Sequence, residues 1–254
     1  MKVRLPNLFS ITQATDLVRI GRDYDGGYLV SKSDIEKTDV LIGLGINDDW
    51  SFEEDFLSQK KVSIYAYDGS VSKSFFLKQL LKSATQIYNL KNFAHWLKVL
   101  TKYSKFFSLS NVHHIQKFVG LNSKNNQHCT FMDVLNQVES KYIFLKIDIE
   151  GSEYRFLHDI LANEERITGI VLELHDVDIH LKEIENFINR FSLNLVHVHA
   201  NNFAPIRADD DLPLVLELTF SKYSNNSTDY KLPHNLDMPN NKYFSEYEIS
   251  VDGK

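Results

Sequence analysis

Seven short apolar runs recur along the chain, at 40–44, 62–67, 114–119, 142–147, 170–174, 193–198 and 214–220, each five to seven residues long. Runs of this length between turn residues predict strands, and their near-continuous apolar character fits strands buried on both faces. Most are separated by amphipathic stretches long enough for helices. Phe156, Leu157, Ile160 and Leu161 after Gly151, and Leu181, Ile184, Phe187 and Ile188 after His180, follow helical spacing and predict helices packed on a sheet. Ser51 with Glu54 predicts a capping box ahead of FEEDFL, and Thr130 with Asp133 a shorter-armed version ahead of FMDVLNQV. Strands alternating with helices predict a mainly parallel α/β sheet covered on both faces.

Two connections break the rhythm. The link from the second run to the third, about residues 70–112, is far longer than one crossover helix requires, so it predicts a helical insert of two or three helices at the ligand end of the sheet. The last two runs are joined only by the turn-rich NNFAPIRADDD, which predicts a hairpin and an antiparallel last strand. Residues 221–254 are polar and turn-rich and are expected to wrap the surface of a single domain spanning 1–254.

Composition adds limits. With 254 residues, 43% hydrophobic and 24% charged, the chain has the makeup of an ordinary globular protein. Its single cysteine, Cys129, excludes an internal disulfide and suits a reducing compartment; nothing beside it in sequence favours a thiolate. The N-terminal stretch lacks an unbroken apolar h-region and no segment reaches the ~20 apolar residues of a membrane span, so the expectation is a cytoplasmic protein.

Charge is distributed unevenly. Between Gly69 and Met132 there are nine lysines (73, 78, 82, 91, 98, 102, 105, 117 and 124) and no acid, which leaves −15 on the rest of a chain whose net charge is −6. Such a field attracts an anionic partner: a phosphate-bearing substrate, an acidic polymer or a membrane surface. The plain alternative is a solvated helical face, and Lys98, Lys102 and Lys105 do share one side of a helix. The aromatic residues of this stretch fall at helical spacing and read as core, so no nucleic-acid partner is expected.

The first strand and its exit carry candidate chemistry. In DVLIGLGINDDWSFEEDF, Gly43 and Gly45 would let backbone approach a ligand, and a helix beginning near Ser51 would aim free N–H groups at a negative group; alternatively the glycines only make a tight turn. Asp68 ends the second strand 23 residues after Gly45, where an acid can accept hydrogen bonds from both hydroxyls of a ribose. Together these features indicate an adenosine cofactor, NAD or S-adenosylmethionine. Asp48 occupies the position of the third glycine of a dinucleotide fingerprint and would repel a pyrophosphate, and the C-terminal hairpin also argues against a hydride-transfer fold. A seven-stranded Rossmann-like sheet ending in such a hairpin resembles the class I methyltransferase fold, with strand order 3-2-1-4-5-7-6, the last strand antiparallel and helices on both faces.

Several stretches then resemble a family. FLKIDIEGSE followed by IVLELH, with CTFMDVL upstream, is similar to the core of the FkbM-type methyltransferases. IGRDYDGGYLV and LIGLGINDDWSFEEDF resemble a related set of methyltransferase-like proteins, and the likeness covers about residues 20–220. The resemblance implies S-adenosylmethionine as donor. As acceptor it implies a hydroxyl on a sugar or secondary metabolite; the lysine-rich insert adds the expectation of a nucleotide-activated sugar, destined for a surface or capsular polysaccharide or a glycosylated metabolite. It places Gly43 and Gly45 beside the methionine portion and Asp68 on the ribose. Asp25 to Tyr28, DGGY, would close over the cofactor, or would simply turn into a strand. Topology places Gly120, with Val119 and Leu121, at the end of the third strand beside the adenine. The lysine-rich insert departs from the compact family pattern, so acceptor identity does not carry over. The same fold leaves open a NAD-dependent oxidoreductase or a non-catalytic binding protein, and the sequence leaves a homo-oligomer open.

On the acceptor side, an alcohol becomes a useful nucleophile only when its proton is drawn away. Strand ends supply Asp148 and Glu150, then Glu173, His175 and Asp176, then His199, Asn201 and Asn202. Asp148 and His175 are the candidates for positioning or deprotonating the hydroxyl, with Glu150, His199 and Asn202 as substrate-binding residues. Glu153, one turn into the next helix, reads as a dipole or surface residue, and one of His197 and His199 as core. Asp148 with Glu173 or Asp176 could hold Mg²⁺ through oxygen ligands, but the favoured picture is metal-free.

Overall fold

The apolar runs assemble into one seven-stranded sheet in the computed structural model, which describes residues 2–85, 88–122, 125–224, 226–227 and 232–252. The sheet strands are β1 (Val40–Leu44), β2 (Ser63–Tyr67), β3 (Val112–Ile115), β4 (Ile143–Ile147), β5 (Ile167–Leu174), β6 (Asn194–Ala200) and β7 (Leu216–Ser221). They lie in the order β3–β2–β1–β4–β5–β7–β6, with β7 antiparallel to both neighbours and the remaining pairs parallel. This is the class I methyltransferase sheet.

The helices are α1 (Lys32–Lys37), α2 (Ser51–Gln59), α3 (Lys73–Ala84), α4 (Leu90–Phe106), α5 (Phe131–Asn136), α6 (Leu157–Ala162) and α7 (Val177–Arg190). One face of the sheet, with Ile42, Leu44, Leu145 and Leu172, is apolar and packs against α5, α6 and α7. The other, with Leu41, Ile64, Phe144 and Val171, packs against α1, α2, the insert helices α3 and α4, and an N-terminal hairpin of Leu17–Gly21 with Gly27–Ser31. Phe56 of α2 meets Phe144 with ring centroids 5.1 Å apart, and both are fully buried. Each such side chain contributes roughly 1.5–3 kcal/mol by leaving water.

Register decides where charge goes. Lys146 lies beside Gly43 and Val171, and Glu173 beside Glu217, which lies beside His199. By the two-residue period of a strand, Lys146, Glu173, Glu217, His197 and His199 therefore share the hairpin-covered face. These are all the Lys, Glu and His side chains buried within the described strands.

Several boundaries differ from the sequence reading. The 114–119 run splits: β3 ends at Ile115, and Phe118–Val119 pairs instead with His128–Cys129 in a separate two-stranded sheet. β5 starts three residues before its apolar run, because Thr168 is satisfied by Thr38 (2.7 Å) and the Ile143 carbonyl (3.1 Å) and is buried at no polar cost. The capping box at Ser51 does not form, because Trp50 holds the N-cap position and the Ser51 hydroxyl donates to Asp49 (3.1 Å). The one at Thr130 forms in both directions with Asp133. In the tail, Glu248–Val251 pairs in parallel with Lys2–Leu5 and ties the two ends of the chain together. Lys124 of the lysine count, residues 86–87 of the insert, and 225, 228–231 and 253–254 of the tail lie outside the described residues.

Candidate functional site

A cavity of about 420 Å³ opens at the carboxyl ends of β1, β2, β4 and β5, within the range of small-molecule sites. Gly45, Asp68, Lys146, Asp148, Glu150 and Glu173 line it, as do Asp25 and Gly26 from the hairpin tip.

The glycine loop is shaped first by packing. Gly45 has φ +82°, and a Cβ there would stand 1.8 Å from the Asp148 carbonyl oxygen, so only glycine lets the β1 and β4 exits pass. Gly43 does not line the cavity. A Cβ on it would meet Glu53 Oε1 at 2.4 Å, so this glycine makes room for the buried Glu53 carboxylate. Burial pushes the Glu53 carboxyl up to about 7 against the pull of Lys146, and its Oε1 has no hydrogen-bond partner.

Asp68 braces this loop. Its Oδ2 accepts from the Ile46 and Asn47 backbone N–H groups (3.0 and 2.8 Å), and its Oδ1 from the Ser70 N–H and hydroxyl (2.7 and 2.6 Å). Burial works against ionisation here, but these bonds outweigh it and hold the carboxyl below its ordinary range. All four acceptor directions of the carboxylate are engaged, so a ribose hydroxyl must displace Ser70.

Gly120 is corrected. It follows the short Phe118–Val119 strand rather than the third strand of the sheet, has φ +113°, and lies against Arg155 outside the cavity. Lys117, Phe118 and Val119 line that side. The Phe118 ring lies over Gly69, where a Cβ would come within 2.4 Å of it.

Toward β4 and β5, Lys146 is a buried, cavity-lining residue that the sequence did not single out. Its ammonium donates to the Gly45 carbonyl (2.7 Å) and Asp148 Oδ2 (3.2 Å), and lies 5.9 Å from the Tyr28 ring centroid. Burial alone would lower its pKa, but Asp148 and Glu53 reverse the effect and raise it. The signal was present in FLKIDI as one lysine on the inward period of an apolar strand. The Tyr28 hydroxyl donates to Glu173 (2.8 Å) and lies 3.4 Å from Asp148 Oδ2, so DGGY turns into a strand and also reaches the site. Asn201 donates to the other Glu173 oxygen (2.9 Å). Burial, with Asp148 and Glu217 nearby, pushes the Glu173 carboxyl up to about 8.

His175 stands among carboxylates: Nδ1 is 3.1 Å from Glu153, and Nε2 is 3.4 Å from Glu150 and 3.9 Å from Glu173. Burial alone would favour the neutral ring, yet Glu153 and its neighbours raise the pKa to about 9. Glu153 is no surface residue. It is fully buried, and its Oε1 also accepts from the Ile149 and Gly151 N–H groups (both 3.1 Å). Glu150, at φ +55°, projects into solvent at the cavity rim.

His199 and Asn202 are not at the cavity. His199 is buried between Glu217 (2.9 Å) and Glu246 (3.0 Å), and Asn202 holds the Asn241 and Ser245 backbone, so both fasten the tail to the sheet. Their strand ends lie on the far side of β7, which separates them from β4.

Asp148, Glu173 and His175 each offer one ligand atom within 4.8 Å of the others; Asp176, weighed as a ligand from sequence, is not part of this set and occupies the N-cap position of α7 without a side-chain capping bond. A mixed carboxylate and imidazole set suits a transition metal better than Mg²⁺, which prefers oxygen alone. The residues on the other side fit an adenosine sulfonium donor. Asp68 stands at the end of β2, where an acid could accept from ribose hydroxyls once Ser70 is displaced, Phe118 offers an aromatic face, and the unpartnered Glu53 oxygen offers a buried acceptor for an ammonium.

No family model and no curated protein matches the sequence. Solved structures similar to it include the precorrin-6y C5,15-methyltransferase of Geobacter metallireducens, 14% identical with TM-score 0.40, over 75% of this chain and 86% of that one. The human methyltransferase 10 domain containing protein is 13% identical with TM-score 0.40, over 74% and 73%. The fibrillarin/Nop5p complex gives 10% identity and TM-score 0.38, over 74% of each chain. Strand order, rather than these distant likenesses, carries the fold assignment.

Proposed function

We propose that the chain is an S-adenosylmethionine-dependent O-methyltransferase, FkbM-like, acting on a hydroxyl of a sugar. One observation carries this reading: Asp148 lines the cavity beside a buried ammonium, one strand from the glycine loop and two from Asp68. Asp68 would hold the ribose, Phe118 the adenine face, and Glu53 with the loop the amino-acid end. The donor supplies an electrophilic methyl group for in-line displacement. Asp148 takes the hydroxyl proton, and Lys146 fixes its orientation. His175, with a pKa of about 9, is protonated at neutral pH and acts as a hydrogen-bond donor rather than a base. Glu150 at the rim holds a neighbouring hydroxyl.

A nucleotide-activated sugar, on its way to a surface polysaccharide or glycosylated metabolite, is the proposed acceptor. Its support is Lys117 and Arg22 on the cavity wall; none of the insert's lysines lines the cavity. The test is a screen of nucleotide sugars for methyl transfer, with and without EDTA, beside calorimetric titration with S-adenosylhomocysteine and NADH. Binding of S-adenosylhomocysteine with transfer to a sugar is expected. Binding of NADH alone would replace this reading with an oxidoreductase, and loss of turnover in EDTA would bring a metal to Asp148, Glu173 and His175.

A further inference from the structure

The insert helices have a use that the cavity does not explain. Both follow the same order around their circumference. A buried stripe, Phe76 and Ser83 on α3 and Val99, Tyr103 and Phe106 on α4, seats the hairpin on the sheet. Next comes an exposed leucine stripe. Leu77 and Leu81, at i and i+4, are 46% and 60% exposed; Leu90 and Leu97, at i and i+7, are 76% and 46% exposed, and Tyr88 in the link between the helices is fully exposed. One position further round lie lysines: Lys78 and Lys82 on α3, and Lys91 and Lys98 on α4, all exposed. From Lys73 to Lys105 the insert holds seven lysines and no acid, in a chain of net charge −6.

Leucines and an aromatic beside a one-sign basic stripe are what a helix needs to lie in the headgroup region of an anionic bilayer. A solvated helical face explains the lysines but leaves the leucines in water without a partner, and a soluble polyanion leaves them there too. No described helix is long and apolar enough to cross a membrane, so contact would be peripheral. The insert is also tied to the cavity. His95 of α4 lies 3.2 Å from Asp48 of the glycine loop, and Lys102 lies 3.8 Å from Glu54 of α2.

We propose that the α3–α4 hairpin docks the protein on an anionic lipid surface, with its leucines in the acyl boundary and its lysines on the headgroups. This stands on the insert alone and does not require the methyl-transfer reading. The test is co-sedimentation of the full chain with phosphatidylcholine vesicles, plain or containing about a quarter phosphatidylglycerol. Binding is expected only with phosphatidylglycerol, and high salt should weaken it. Leu81→Glu and Leu90→Glu, both at exposed positions, should each lower the partition about tenfold or more with unchanged circular dichroism and Tm. Lys82→Ala and Lys98→Ala should each lower it by up to about fivefold. Three results overturn the proposal. One is equal or absent binding to both vesicles. Another is binding to heparin but not to vesicles, insensitive to the leucine changes, which would mark an acidic polymer. The last is a doubled mass in solution that the leucine changes abolish, which would mark a second copy of this chain.

Discussion

The Lys146 ammonium lies 3.2 Å from Asp148 Oδ2, two residues away on the same strand exit, and 2.7 Å from the Gly45 carbonyl on the neighbouring one. One buried charge thus joins the proposed base to the glycine loop and offsets Glu53 and Glu173 nearby. Removing it leaves those carboxylates without a counter-charge. Lys146→Met is expected to cost about 3–5 kcal/mol in urea unfolding, as for other buried pairs broken on one side. A loss below about 1 kcal/mol would mean that the carboxylates are compensated elsewhere.

Stability should fall as pH rises. The folded pKa of His175, about 9, lies above the ordinary 6.5, so its contribution is complete below about 6.5 and is lost as pH climbs through 9. Glu173 and Glu53 are raised to about 8 and about 7, so the folded state also binds their protons more tightly and loses that advantage between about 4.5 and 8. Urea midpoints should therefore decline steadily from mildly acidic to alkaline pH. His175→Gln should flatten the part between about 6.5 and 9, a contribution of order 1–2 kcal/mol after solvent screening. An unchanged slope in that variant would show that His175 does not titrate as its carboxylate neighbours require.

The fold was legible because apolar runs and their order determine a sheet, and a short link before the last run leaves room only for a hairpin. Boundaries were less legible where tertiary contacts satisfy polar groups, as at Thr168, or where a bulky residue takes the cap, as at Trp50. Asp148 and His175 stood out at strand ends; Asp148 lines the cavity, whereas His175 does not line it and lies against Glu150 and Glu173, which do. His199 and Asn202 looked equivalent in sequence, but the inserted antiparallel strand sets them apart from β4 and gives them to the tail. Phe118 carried little signal and FLKIDI marked Lys146 only as an inward-facing charge, since the contacts of each depend on a neighbour far away in sequence: Gly69 and Gly45.

Asp148 and His175 should separate in kinetics. Asp148→Asn keeps the shape but cannot take a proton, so turnover should fall about 10²–10⁴-fold while S-adenosylhomocysteine affinity changes little. His175→Ala removes a donor and should cost about tenfold, chiefly in acceptor KM. Full turnover in both variants on the true acceptor would remove them from the chemistry.

The donor side can be tested without an acceptor. Phe118 is 44% exposed, so Phe118→Ala should leave Tm nearly unchanged. If its ring stacks on the adenine, calorimetry should show S-adenosylhomocysteine affinity falling by about 1–3 kcal/mol, roughly five- to 150-fold. Asp68→Ala should lose at least as much affinity, and here Tm should fall as well, because Ile46, Asn47 and Ser70 lose the carboxylate that orders their loop. The contrast separates a ligand contact from a brace. A Tm loss in Asp68→Ala with undiminished affinity would make Asp68 purely structural, and a binding protein using another surface would keep its partner in both variants.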